Sequence, residues 1–77
     1  MDNRTALKDA IAEAGGQAAL ASLLGVSQSL VSFWLRQAKR GVSPEFAPRI
    51  EAATGVSRHD LRPDVFGPKP QPEKAVA

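Results

Sequence analysis

Apolar residues recur along this chain with the period of a helix. Leu7, Ile11 and Ala14, with Ala10 alongside, follow i, i+4 and i+7, while Arg4, Lys8, Asp9 and Glu13 fill the remaining sides. The spacing predicts a first helix from Asn3, as N-cap, to about Ala14, stopped by Gly15-Gly16. Gln17 to Leu24 is almost wholly small or apolar, and predicts a second helix covered on most sides, with Ala18, Leu20, Ala21 and Leu24 available to pack. Gly25 stands where a glycine ends a helix, and Val26 is suited to plug the corner after it. Ser27 is a good N-cap for a third helix. At about 100° per residue, Val31, Trp34, Leu35 and Ala38 share one face of it. Gln28, Ser29, Ser32, Phe33 and Arg36 lie opposite, with Leu30 at the boundary. Trp34, the single tryptophan, is expected to anchor the core.

After a Gly41-Val42 connection, Ser43 as N-cap, Pro44 at the first helical position and Glu45 at the positive helix end predict a fourth helix. Phe46, Ile50 and Ala53 have core spacing in it, Pro48 is early enough to be tolerated, and Thr54-Gly55 ends it. Ser57 caps a last short turn, Arg58 to Leu61, before Arg62-Pro63 is expected to force an extended chain. The expectation is an all-α, compact bundle of four to five short helices in one domain, 1–66. A proline-rich flexible tail, 67–77, follows.

Composition narrows the chemistry. A chain of 77 residues builds a small core and leaves few residues for a deep catalytic pocket. With no cysteine, disulfides and thiolate metal sites are excluded, and with one histidine no metal or cofactor is expected. His59-Asp60 is the one pair that invites a catalytic account. Neighbours on a helix diverge by about 100°, so His59 is expected to face solvent and the protein not to be an enzyme. No apolar run reaches the roughly 18 residues of a membrane span, and the N-terminus, with Asp2, does not read as a secretory signal. A soluble cytoplasmic, nucleoid-associated protein is expected. The formal charge of +2 says little, but its distribution says more. Arg36, Lys39 and Arg40 fall together behind the third helix with no acid among them. Alone, such a run is an ordinary solvated helix end.

The stretch from Gln17 to Leu35 resembles the helix-turn-helix of phage repressor and Cro-type regulators, whose fold is lambda repressor-like. The residues that carry the likeness are Gln17, Ala21, Gly25, Val26, Val31 and Trp34. The likeness widens to the YdaS-like group of Cro-type proteins of bacterial genomes and prophages: a Gly-Gly-Gln opening at Gly15 to Gln17, a tryptophan late in the third helix, Ile-Glu-x-x-Thr-Gly at Ile50 to Gly55, and Leu-Arg-Pro-Asp at Leu61 to Asp64. It covers about Ile11 to Phe66.

The resemblance implies a transcriptional regulator of double-stranded DNA, of the repressor type, whose third helix enters the major groove. On that basis Gln28, Ser29, Ser32 and Phe33 are the expected base contacts; a glutamine pairs bidentately with adenine. Gln17, Ser27, Arg36, Lys39 and Arg40 are the expected phosphate contacts, which add affinity and salt dependence without sequence choice. Phe33 departs from the pattern, where a small residue is common, and would pack on thymine methyls or against a neighbouring protein. A homodimer is expected, formed in solution or only on DNA, through Phe46, Leu61, Val65 and Phe66. The competing expectation is an antitoxin or protein-binding module that meets a protein partner through Phe33 or the tail, or an activator.

Overall fold

A computed structural model describes residues 2–68. The helices are α1 (Asn3–Ala14), α2 (Gln17–Leu24), α3 (Gln28–Arg36), α4 (Ala47–Thr54), α5 (Arg58–Leu61) and α6 (Pro63–Phe66), with a 3-10 turn, Pro44–Phe46, leading into α4. No strand occurs among the described residues. The all-α expectation stands, with one helix more than the four to five foreseen. Of the expected tail, only Gly67 and Pro68 are described; residues 69–77 lie outside the described residues.

α1 is the central element, touching α2, α3, α4 and α5. Its Ala6, Leu7 and Ala10 are fully buried, and they meet Leu20, Ala21 and Leu24 of α2, Val31 and Trp34 of α3, Ala47 and Ile50 of α4, and Leu61 of α5. Val42, between α3 and α4, closes the same core at 1% exposure. Small side chains at Ala6, Ala10 and Ala21 let the helix axes come close, because nothing beyond Cβ keeps the backbones apart.

Several expectations need correction. α1 is capped by Asp2, not Asn3: the Asp2 carboxylate accepts from the Thr5 N–H at 2.7 Å, and Asn3 is already helical. Either side chain suits a cap, and the carboxylate also gains from the positive end of the helix. α2 is less covered than its composition implies. Its buried stripe runs through Leu20, Ala21 and Leu24, roughly 100° from Leu23 and Ala18, and these two are exposed, Leu23 at 56%.

The fourth helix starts late. Pro48 has no N–H to give to the Pro44 carbonyl, so the first turn tightens to the 3-10 form, in which the Ala47 N–H bonds to Pro44 O. The tighter turn rotates the register: Ala47 and Ile50 are buried, while the expected core residue Ala53 is exposed. Phe46 is half-buried, its ring 5.4 Å from that of Trp34.

Arg62 is extended (φ −139°, ψ 70°), as a residue before proline should be. Pro63, however, opens a further helical turn instead of an extended chain. The dimer surface foreseen around Phe46, Leu61, Val65 and Phe66 is largely spent inside the monomer. Leu61 is buried, Phe46 and Phe66 pack against the core, and Val65 remains exposed.

Candidate nucleic-acid interface

The α2–α3 pair is shaped by local sequence. α2 ends at Gly25, whose φ of +71° is the left-handed conformation that other residues adopt only with strain. Its N–H bonds to the Ala21 and Ser22 carbonyls, and the Val26 N–H bonds to Ala21 O at 3.0 Å. Ser27 Oγ then accepts from the Leu30 N–H at 3.1 Å and starts α3. Across the break the two helices turn through 116°, within the range of helix-turn-helix units. Val31 and Trp34, 0% and 2% exposed, hold α3 to the core by one face and leave the other to solvent.

That outer face is organised. Gln17 at the start of α2 and Gln28, Ser29, Ser32 and Arg36 of α3 line one open depression of about 400 Å³. Gly16 provides no side-chain cap for α2, so its first backbone N–H groups point outward beside Gln17, a favourable place for an anion. Arg36 sits in the last turn of α3, where a cation also suits the macrodipole. No acidic residue occurs between Glu13 and Glu45, the stretch that holds both helices and Arg36, Lys39 and Arg40. A second depression of similar size, about 430 Å³, lies between α1 and the end of α4 and is lined by Asp9 and Glu13. Its carboxylates would repel a phosphate.

The structure brings five of the nine expected site residues to one depression; the other four do not line it. Phe33 is 48% exposed and does not line it. About 40° beyond Ser29 on the helix, it flanks the depression. Ser27 is exposed, and its Oγ, though accepting from Leu30, keeps its own hydrogen to donate. Lys39 and Arg40 are exposed beyond the end of α3, and Arg40 lies close enough to Asp64 for its charge to act on that carboxylate.

Three supporting residues escaped the reading of the chain. Arg49 Nη2 donates to the Leu24 carbonyl at 2.9 Å, closing the C-terminus of α2, and its guanidinium lies 5.1 Å from the Phe46 ring centroid. His59 does not face solvent: its Nδ1 lies 3.1 Å from Phe66 O and 3.2 Å from Gly67 O, so Nδ1 carries the proton. Arg62, 7% exposed, donates to the Val42 carbonyl at 2.8 Å and grips both oxygens of Asp64, at 2.9 and 2.7 Å. The Arg-Pro-Asp spelling, with a carboxylate two residues from the arginine at the start of a turn, was the available signal for this last pair. Those hydrogen bonds, with the Arg62 charge behind them, hold the Asp64 carboxyl at about 2.

Residues 7–70 match a protein-family model described as "Bacterial toxin YdaS". The chain is also similar to the protein named "Putative transcriptional regulator YdaS" of Escherichia coli (strain K12), with 43% identity over 60 residues, which is 75% of this chain and 60% of that one. The chain thus spans about 60% of the length of the curated relative it matches. No solved structure matches it.

Proposed function

The chain belongs to the YdaS family, and from that premise we propose that it is a sequence-specific double-stranded DNA-binding regulator. In this reading α3 enters the major groove. Gln28, Ser29, Ser32 and Phe33 meet base edges, and Gln17, Ser27, Arg36, Lys39 and Arg40 meet phosphates. The observation that carries it is the convergence of Gln17, Gln28, Ser29, Ser32 and Arg36 on one acid-free face of two helices turned through 116°. A glutamine offers a donor and an acceptor in one plane, the pair that adenine presents in the major groove. The flanking cations add affinity that falls with salt.

One module spans only a few base pairs, so we further propose a homodimer on a near-palindromic site, its α3 helices about 34 Å apart in successive grooves. Bound across a promoter, such a dimer represses by excluding polymerase. The proposed role is binding, in the cytoplasm, with no catalytic step.

The test is titration of duplexes selected from a random pool, against scrambled controls, at two salt concentrations. Gln28→Ala with Ser29→Ala should lower affinity for the selected duplex about 10- to 100-fold and leave the scrambled one almost unaffected. Equal binding to both duplexes by the unaltered protein, or binding indifferent to salt, would sink the proposal.

A second reading has its own support. Leu23 and Phe33 are exposed apolar residues on the same two helices, and the family is described as a toxin, where the competing expectation from the sequence included an antitoxin. A protein-binding module would keep its partner after Gln28 and Ser29 are replaced, and would lose it on Phe33→Ser.

A further inference from the structure

We propose that Arg62 and Asp64 are positioning residues for this interface: the pair straps the segment behind α3 and so presents Lys39 and Arg40 to phosphates. The inference rests on the DNA-binding reading above. Residues 37–43 join α3 to the 3-10 turn without a helix of their own; Lys39 and Arg40 sit in a turn closed by the Gly41 N–H on the Ala38 carbonyl at 3.4 Å, and the far end of that turn is fixed from outside. Val42 is sunk in the core at 1% exposure. Gly41 has φ +80°, and a Cβ there would lie 3.4 Å from the side-chain Nδ2 of Asn3. The Val42 carbonyl accepts from Arg62 Nη1 at 2.8 Å.

Arg62 is itself held by two parallel bonds to Asp64. The guanidinium fork is rigid and planar, so clamping two of its nitrogens on a carboxylate fixes where the third points. Lys39 and Arg40 immediately precede this anchored pair of residues, and Arg40 lies within electrostatic reach of the same carboxylate. Apolar side chains in place of the pair, of which Arg62 is buried and Asp64 is 42% exposed, could keep the packing. They could not direct the Val42 carbonyl, and thus the two cations before it.

Asp64→Asn tests this by the sign of its effect. If Asp64 were only a carboxylate near the phosphates, removing its charge would tighten DNA binding. Loss of the strap predicts weaker binding instead, equally on selected and scrambled duplexes, with the log–log salt slope smaller by about one. Once Lys39 and Arg40 are both alanine, Asp64→Asn should change the slope no further. Folding is followed by helical circular dichroism and by the fluorescence of buried Trp34. A folded Asp64→Asn protein that binds as well as the unaltered one, or better, overturns the proposal.

Should that variant not fold, Lys39→Ala and Arg40→Ala decide. A slope smaller by about one in each upholds the presentation of both cations, and an unchanged slope in either overturns it. Failure of the DNA reading looks different, because the unaltered protein would then show neither salt dependence nor preference for a duplex.

Discussion

The α2–α3 unit and the C-terminal half spend their polar and charged side chains in opposite ways. In residues 42–66 the arginines bond to other parts of the fold. Arg49 closes α2. Arg58 Nε pairs with Glu51 at 2.8 Å, and its guanidinium lies 5.9 Å from the Phe66 ring centroid. Arg62 ties Val42 to Asp64. On α3 and just behind it, Arg36 and Lys39 form no hydrogen bond or ion pair with other described residues, and Gln28, Ser29 and Ser32 offer their side chains to an open depression. The same residue types do structural work in one region and are left without internal partners in the other. Beyond the small macrodipole gain at Arg36, a protein gains little in stability from leaving cations so placed, and their like charges repel; a polyanionic ligand is what the arrangement suits.

The comparison breaks most severely at the side chain both regions share. Trp34→Ala should cost about 3–5 kcal/mol, enough to abolish cooperative urea unfolding in so small a domain. A melt within 1 kcal/mol of the unaltered protein would remove Trp34 as the anchor. Next, Arg62→Met leaves the buried Val42 carbonyl without its donor and should cost about 1–3 kcal/mol in the urea midpoint. Arg36→Ala and Lys39→Ala should each stay within about 0.5 kcal/mol. Equal losses in all three would erase the distinction between stitched and unstitched cations.

A smaller effect is expected at Phe33. If its ring meets a thymine methyl, uracil in place of that thymine should weaken binding by about 0.8 kcal/mol, roughly fourfold. Phe33→Ala protein should not distinguish the two bases. The smallest effect is that of acid. The Asp64 carboxyl lies at about 2, below its ordinary value of 3.8, because Arg62 hydrogen-bonds its ionised form. A depressed carboxyl stabilises the fold above the higher value, and that contribution disappears as pH falls through the lower one. Between pH 4 and 2 the unaltered protein should therefore lose stability, and Asp64→Asn should lose less. Parallel acid profiles would show that the ion pair does not matter to folding.

Legibility in the sequence follows the same division. The bounds of α2 and the start of α3 could be read because a glycine, a serine cap and an apolar period act within a few residues of themselves. Val31 and Trp34 were placed correctly in the core for the same reason. Ala53 was misplaced because a proline four residues after another changed the first turn to 3-10 and rotated everything behind it. Ala18 was misplaced because composition does not say which side of a short helix faces its neighbours. His59 was assigned to solvent because the carbonyls it meets belong to a helical turn that Arg62-Pro63 was expected to prevent. As to the site, the grouping of Gln17 with α3 was implied by family likeness, and the depression they share appears only when the two helices are folded together.

Sequence alone determined that the chain is helical, where α2 stops and α3 starts, and which face of α3 is polar. These are consequences of backbone sterics, capping hydrogen bonds and helical period, all of which act over a turn or two. Tertiary structure decided the rest: that Ala47 and not Ala53 is inside, that Arg49 and Arg62 serve the fold, and that Arg36 and Lys39 do not. Those outcomes depend on contacts between residues far apart along the chain, such as Arg49 with Leu24 and Arg62 with Val42. A charged side chain looks the same in a sequence whether it will find a carbonyl within the fold or remain in water. Only the packed helices settle which.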